Sequence, residues 1–245
     1  FAVMNAMPSD TLPATLLQEA VLALVAFAAV GFAIPDALKR CTQTVQQRSI
    51  VRFTAISLLL VGLVGGAITL LAWLFAGGGT MACFASTALP STADLMENLL
   101  LLLGICLLTG LYEESFMRVL GIEAFERALD TKRAILASAA LFALLHVGAP
   151  DVSAGQLVLL QATLKFGQAL LFGVILSALY VRTRRLWPCA FIHAGFDVLY
   201  MAPNVLLTGT MPETYASGAV GDTVLLAASV LMLSGIVLKI RNEIA

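Results

Sequence analysis

Apolar residues are concentrated in seven long stretches, separated by short segments that hold most of the charged side chains. The stretches run over residues 14–34, 50–76, 95–120, 132–148, 156–181, 186–203 and 222–240. A helix needs about 20 apolar residues to cross the hydrocarbon core of a bilayer. The pattern therefore predicts an all-α, polytopic membrane helix bundle of about seven transmembrane helices. After the third stretch, Glu123 and Glu126 are too polar for lipid and predict an interfacial continuation.

The composition agrees with lipid as the solvent for much of the surface. Of the 245 residues, 60% are hydrophobic and 12% are charged, which is about half the charged fraction of a soluble domain. The net charge of −1 argues against a nucleic-acid partner. The four cysteines form no C-x-x-C pair, so they indicate neither a disulfide framework nor a thiolate metal site. No internal repeat is visible, and residues 1–245 are predicted to form a single integral-membrane domain.

Connections that are flanked by basic residues alternate along the chain with connections that have none. The N-terminal segment and the connections at 77–94, 149–155 and 204–221 contain no Lys or Arg. The other connections and the C-terminus contain or are flanked by Lys39, Arg40, Arg48, Arg52, Arg127, Lys132, Arg133, Arg182, Arg184, Arg185, Lys239 and Arg241. By the positive-inside rule, the N-terminus is outside and the C-terminus is cytoplasmic. The small size and short loops favour a bacterial inner (cytoplasmic) membrane.

The third apolar stretch contains two adjacent carboxylates, Glu113 and Glu114, followed by Arg118. Residues four apart share a helix face, whereas neighbours point about 100° apart. Glu114 and Arg118 are therefore expected to pair, which leaves Glu113 free. A carboxylate in an apolar site can act as a general base or acid near neutral pH. A buried ion pair that fixes helix packing is the structural alternative.

The only two histidines of the chain lie in two further apolar stretches. Phe142 precedes His146 by one helical turn and is expected to shape one wall of a pocket. His193 and Asp197 share a helix face, so the carboxylate is expected to orient the imidazole or to join it in binding a metal. Taken alone, a histidine such as His146 is more often hydrogen-bonded to a neighbouring helix than catalytic, and His193 and Asp197 can form an ordinary local side-chain bond. Polar groups in hydrocarbon usually face a protein interior or a wet cavity, so together the motifs predict one buried acid and imidazole centre.

The pattern E-E-x-x-x-R, then F-x-x-x-H, then H-x-x-x-D resembles the CPBP family of intramembrane endopeptidases. This family is named for CAAX-protein and bacteriocin processing and is also called the Abi family or the type II CAAX prenyl proteases. The resemblance covers residues 95–203. It implies a helical membrane bundle with a peptidase site inside a polar cavity, and a peptide or protein as substrate.

Carried over position by position, the resemblance implies that Glu113 is the catalytic acid/base and that His146 helps it to activate a water. Glu114 and Arg118 would be the supporting pair, and His193 and Asp197 would stabilise the oxyanion. The last position is Asn in well-known CAAX-processing members. Asp197 donates no hydrogen bond unless it is protonated, so orientation of His193 is the more plausible role for it.

Two mechanisms remain open at this point. In the first, which we favour, no cofactor is needed, and Glu113 and His146 polarise a water directly. In the second, a divalent metal such as zinc is bound by Glu113, His146 and His193, which match a catalytic zinc set with an open position. The usual H-E-x-x-H signature is absent.

Two other classes of function are also consistent with the sequence. A CPBP-like scaffold or immunity protein would keep the motifs but bind a membrane-protein partner instead of cleaving it. A proton or ion carrier would use the same buried acids as a relay, although the lack of inverted repeats counts against this reading. Peptide-bond hydrolysis at the bilayer is the hypothesis that accounts for all three motifs.

Overall fold

The computed structural model describes residues 11–41, 46–76, 90–147, 155–212 and 215–244. Within these ranges every regular element is a helix, so the predicted all-α class is confirmed. The elements are α1 (Leu12–Ala33), α2 (Pro35–Cys41), α3 (Arg48–Ala76), α4 (Thr92–Glu114), a π-helical segment (Ser115–Ile122), α5 (Glu123–Phe125), α6 (Thr131–Val147), α7 (Gln156–Thr183), α8 (Leu186–Thr208) and α9 (Val220–Ile244).

In the described ranges, six helical segments are long and apolar enough to cross a membrane. They are Leu12–Ala33, Arg48–Ala72, Thr92–Phe125, Gln156–Thr183, Leu186–Thr208 and Val220–Arg241. The remaining predicted span, 132–148, forms the helix α6 of 17 residues, which is shorter than the roughly 20 residues of a full crossing. The protein is therefore an integral membrane protein, while the orientation of its termini and the identity of its membrane stay predictions.

The helices form a closed ring in which each packs against the next. α1 contacts α4, α4 contacts α8, α8 contacts α3, α3 contacts α9, α9 contacts α7, and α7 contacts α6. The π-helical segment closes the ring because it packs against α6, α4 and α1. The three motif-bearing helices, α4, α6 and α8, thus face a common interior.

Polar contacts hold one end of this ring together. Arg184, at the end of α7, donates to both carboxylate oxygens of Glu126 at 2.7 and 2.8 Å. Glu123 accepts hydrogen bonds from Arg40 at 2.6 Å and from Tyr180 at 3.2 Å. The hydrogen bond from Arg184 holds the pKa of Glu126 below its usual range. The charged segment after α4 therefore forms an anchor at the end of the bundle.

Two glycines allow helices to approach α8 closely. A Cβ atom on Gly110 of α4 would lie 2.6 Å from the carbonyl oxygen of Ala190, which is closer than van der Waals contact permits. A Cβ atom on Gly66 of α3 would collide with the carbonyl oxygen of Leu199. Small residues at such crossings let two backbones approach, as is common in membrane bundles. Gly110 lies one turn before Glu113 and Glu114, so this contact fixes the distance between the acids and α8.

We expect Gly110→Ala to destabilise the bundle by about 1–3 kcal/mol, because a methyl group inserted at a packed contact forces the backbones apart. Thermal unfolding in detergent measures the effect. Gly235→Ala is the matched control, since a Cβ atom there meets nothing within 4 Å, and it should leave the stability unchanged or raise it slightly. Equal stability of the two variants would contradict the role of Gly110 in packing.

Candidate active site

A fully buried ion pair lies at the end of α4. Arg118 donates through Nε to Oε2 of Glu114 at 2.8 Å and through Nη2 to Oε1 at 3.3 Å. Both side chains are 0% exposed. This is the bidentate arrangement that guanidinium and carboxylate groups form most strongly. The pairing expected from the i, i+4 spacing is therefore present.

Arg118, in the π-helical segment, also connects Glu114 of α4 to α6. Its Nη1 donates to the hydroxyl oxygen of Ser138 at 3.3 Å, and that hydroxyl donates to the backbone carbonyl of Met117 at 2.6 Å. The guanidinium carbon lies 4.9 Å from the ring centre of Phe142, a cation–π distance. Because Phe142 is one turn before His146, these contacts fix the end of α6 that carries the histidine.

Glu114 also connects α4 to α8. Its Oε1 lies 2.9 Å from Nδ1 of His193. A carboxylate paired with Arg118 is an acceptor, so Nδ1 carries the hydrogen and donates it. One buried carboxylate thus orients an arginine of its own helix and a histidine that lies 79 residues further along the chain. The sequence suggested Asp197 as the residue that orients His193, and the contact with Glu114 was not foreseen.

The helix changes its geometry immediately after the two acids. Residues Ser115–Ile122 are π-helical, and the N–H of Ser115 reaches the carbonyls of both Leu111 and Tyr112. Such segments are rare and occur frequently at functional sites. Arg118 lies within this wide turn, next to the acids with which it interacts. The apolar periodicity predicted a continuous helix here and contained no signal for the wider turn.

Glu113 lies between the two histidines. Its Oε2 is 3.7 Å from Nε2 of His146 and 3.7 Å from Nε2 of His193. Its other oxygen accepts a hydrogen bond from the hydroxyl of Tyr112 at 3.0 Å. Oε2 is buried and has no hydrogen-bond partner among the described residues. An unpaired buried carboxylate oxygen is costly, so its position between two imidazoles calls for a functional explanation.

Hydrogen bonds define which ring nitrogens carry hydrogen. Nδ1 of His146 lies 2.9 Å from the carbonyl oxygen of Phe142, which only accepts, so Nδ1 donates. In a neutral imidazole this leaves the lone pair of Nε2 directed towards Glu113. His193 differs, because Oδ2 of Asp197 lies 3.3 Å from its Nε2 while Glu114 accepts from its Nδ1. Because a carboxylate faces each ring nitrogen of His193, we expect this side chain to be an imidazolium, which has two N–H donors.

Aromatic rings enclose these polar groups. Phe142 contacts His146 with ring centres 4.1 Å apart, and Phe172 meets His193 edge-on at 4.9 Å. Phe196 packs against Phe172 at 4.8 Å. Apolar walls lower the local dielectric constant and so strengthen the electrostatic interactions inside the site.

A cavity of about 460 Å³ opens beside Glu113, His146, His193 and Asp197. A volume of this size is typical of ligand-binding pockets. Its walls come from α1, α4, α6, α7 and α8 together with the segment after α8. The structure thus brings the four predicted catalytic residues together at one cavity. Glu114, Arg118 and Phe142 lie behind them.

The sequence analysis missed several polar residues of the cavity wall. Glu19 of α1 is 8% exposed, and Lys165 of α7 lies beside the histidines. Tyr112 and Gln168 also line the cavity. The two charged residues had a visible signal, since each is an ionisable group within a predicted span. Neither belongs to one of the three motifs, so the motif pattern did not identify them.

The described part of the chain contains no group of three or more His, Cys, Asp or Glu side chains arranged to hold a metal ion. The three side chains proposed as zinc ligands, Glu113, His146 and His193, do converge, but Nε2 of His193 also faces Asp197 at 3.3 Å. A nitrogen that donates a hydrogen bond to a carboxylate has no lone pair for a metal. The present arrangement is therefore the one expected for a hydrogen-bonding histidine.

Residues 95–199 match a family model described as type II CAAX prenyl endopeptidase Rce1-like. The matched region contains all three motifs and nearly the whole of the segment predicted from them. The resemblance to the CPBP family is therefore confirmed, and it implies intramembrane CAAX protease activity in general. Comparisons with curated proteins and with solved structures found no match.

We expect Arg118→Met to destabilise the protein by about 3–5 kcal/mol, because it leaves the carboxylate of Glu114 buried without its cation. The double variant Glu114→Gln/Arg118→Met should lose less stability than Arg118→Met alone, since no unpaired charge remains. Unfolding in detergent measures both.

Arg133→Met serves as the control for this pair. Arg133 pairs with Asp130 at 3.3 Å, and the two side chains are 74% and 56% exposed. The free energy of unfolding should therefore fall by less than about 1 kcal/mol. If Arg118→Met is no more harmful than this surface variant, the buried pair does not hold the site together.

Proposed function

Because residues 95–199 match the Rce1-like CAAX endopeptidases, we propose that this protein hydrolyses a peptide bond through a water activated by Glu113 and His146. One observation carries the proposal. The unpaired Oε2 of Glu113 lies at the same distance, 3.7 Å, from both Nε2 atoms, beside a cavity large enough for a peptide segment. That distance is too long for a direct hydrogen bond and suits a water that bridges the groups.

In the first step, the attacking water donates one hydrogen to Oε2 of Glu113 and the other to the lone pair of Nε2 of His146. Glu113 accepts a proton as general base while the water oxygen forms a bond to the carbonyl carbon. Tyr112 holds the other carboxylate oxygen through its hydroxyl, and Phe142 holds Nδ1 of His146 through its backbone carbonyl. Both acceptors are thus fixed before the substrate arrives, which lowers the entropic cost of the reaction.

The carbonyl oxygen becomes an oxyanion as the water adds. His193 supplies an N–H donor at Nε2 to stabilise this charge, and Glu114 fixes the ring from the opposite nitrogen. In the resting site, Asp197 accepts a hydrogen bond from the same Nε2. It keeps the imidazole charged until the oxyanion accepts that hydrogen bond instead. In this proposal Asp197 positions and charges His193 and is not itself an oxyanion donor.

Collapse of the tetrahedral intermediate completes the reaction. Glu113 returns the proton that it took from the water to the amide nitrogen, the carbon–nitrogen bond breaks, and the nitrogen leaves as an amine. The water oxygen remains on the new carboxyl group. Glu113 ends the cycle ionised, as it began, so no further acid or base is required.

We expect Glu113→Gln to reduce cleavage by about 10³-fold or more, because an amide cannot accept the proton of the water. Glutamine keeps the shape of the side chain, so the variant should insert and unfold like the parent. Cleavage of a peptide substrate in detergent or proteoliposomes measures the loss. Glu97→Gln is the control, since Glu97 is an exposed residue of the same helix. A normal rate in Glu113→Gln would leave a binding or scaffold role as the better account.

The metal-free mechanism makes a separate prediction about metal content. Purified protein should contain far less than one equivalent of zinc by elemental analysis, and its cleavage rate should survive treatment with a chelator. The same analysis on His193→Ala identifies a site if one exists. One equivalent of zinc that is lost in His193→Ala, together with inactivation by the chelator, would replace the direct mechanism with the metal-dependent one.

A further inference from the structure

Glu19 is a buried acid in the cavity wall that the proposed mechanism does not use. It lies on α1 and lines the cavity together with Thr109, Tyr112 and Glu113 of α4. Its position inside a membrane-spanning helix makes a carboxylate costly unless a cation compensates its charge. We therefore ask which group satisfies this acid when the cavity is filled.

Glu19 belongs to a polar face of α1. Thr15 and Gln18 line the same cavity, and residues three and four apart share one face of a helix. On α4, the side chain of Thr109 faces Glu19 and lies one helical turn before Glu113. The two helices thus form a polar wall beside the proposed general base, and α1 lies outside the region that matches the family.

The carboxyl group of Glu19 lacks the cation that other buried acids of this protein have. Its Oε2 is buried and has no hydrogen-bond partner among the described residues. Glu114 and Glu123 each pair with an arginine, whereas no Lys or Arg in the described part of the chain forms an ion pair with Glu19. The lysine of the same cavity, Lys165, donates instead to Gln168 at 3.2 Å. A buried acid with an unused acceptor at a cavity wall suits a cationic ligand.

We propose that Glu19 binds a basic side chain, lysine or arginine, of the peptide substrate. This inference rests on the proposed peptidase function and names a substrate group that enters the cavity. Thr109, which faces Glu19, lies one turn or about 5.4 Å along α4 from Glu113, and an extended peptide advances about 3.3 Å per residue. The basic residue is therefore expected within about two positions of the cleaved bond.

Binding to the Glu113→Gln variant tests the assignment without requiring cleavage. The probes are short, N-terminally labelled apolar peptides with one arginine at each position in turn, and matched peptides with citrulline, its neutral isostere, at that position. By fluorescence anisotropy in detergent, arginine should bind at least about tenfold more tightly than citrulline at one or more positions, as expected for a charge-assisted hydrogen bond.

A second substitution in the same background assigns this preference to one acid. Adding Glu19→Gln should remove the preference for arginine and leave the affinity for the citrulline peptide unchanged, because the amide keeps the shape of the side chain and loses its charge. Glu97→Gln, a change of an exposed acid on α4, is the matched control and should leave the preference intact.

Three results would overturn the inference. The first is equal affinity for arginine and citrulline at every position, including a failure of both series to bind. The second is a preference that survives Glu19→Gln, which would assign the cation to another acid of the cavity. The third is a loss in Glu19→Gln that is equal for both peptides, as a purely structural acid would give. Failure of the proposed function is separate, since wild-type protein would then cleave none of the peptides while the binding preference persists.

Discussion

The site depends on the carboxylate of Glu114, which is the contact point of three helices. It accepts two hydrogen bonds from Arg118 and one from His193, and Arg118 extends the connection to Ser138 on α6. A buried charge is tolerated only when it is paired and its lone pairs are used. This one requirement therefore connects α4, α6 and α8 at the site.

The contacts of Glu114 also distinguish it from the adjacent acid, Glu113. Glu114 is occupied by a cation and an imidazole, whereas Glu113 points about 100° away around the helix, where among the described residues Tyr112 alone donates to it. Its second oxygen remains unpaired between two Nε2 atoms. A supporting residue needs every hydrogen bond satisfied, whereas a base needs one acceptor free for the reaction. In the proposed mechanism, these two identical side chains fill opposite roles because their directions differ.

The cavity extends the site beyond the region that matches the family. Glu19 on α1 and Tyr215 after α8 line it, and both lie outside residues 95–199. The proposed reactive groups thus lie in the matched helices, while part of the cavity wall comes from segments with no recognisable motif.

The sequence by itself determined the helical membrane class, the approximate spans and the three motifs of polar residues within them, because apolar length and i, i+4 spacing are local properties. The pairs Glu114–Arg118 and His193–Asp197 were predictable for that reason. Only the tertiary structure decided that Glu114 holds His193, that Glu113 lies between both imidazoles, and that Lys165 faces the same cavity. These contacts join residues that are far apart in the chain. They depend on helix crossings, such as the one at Gly110, and on the π-helical turn after the two acids. The spacing of apolar residues in the sequence predicts neither feature.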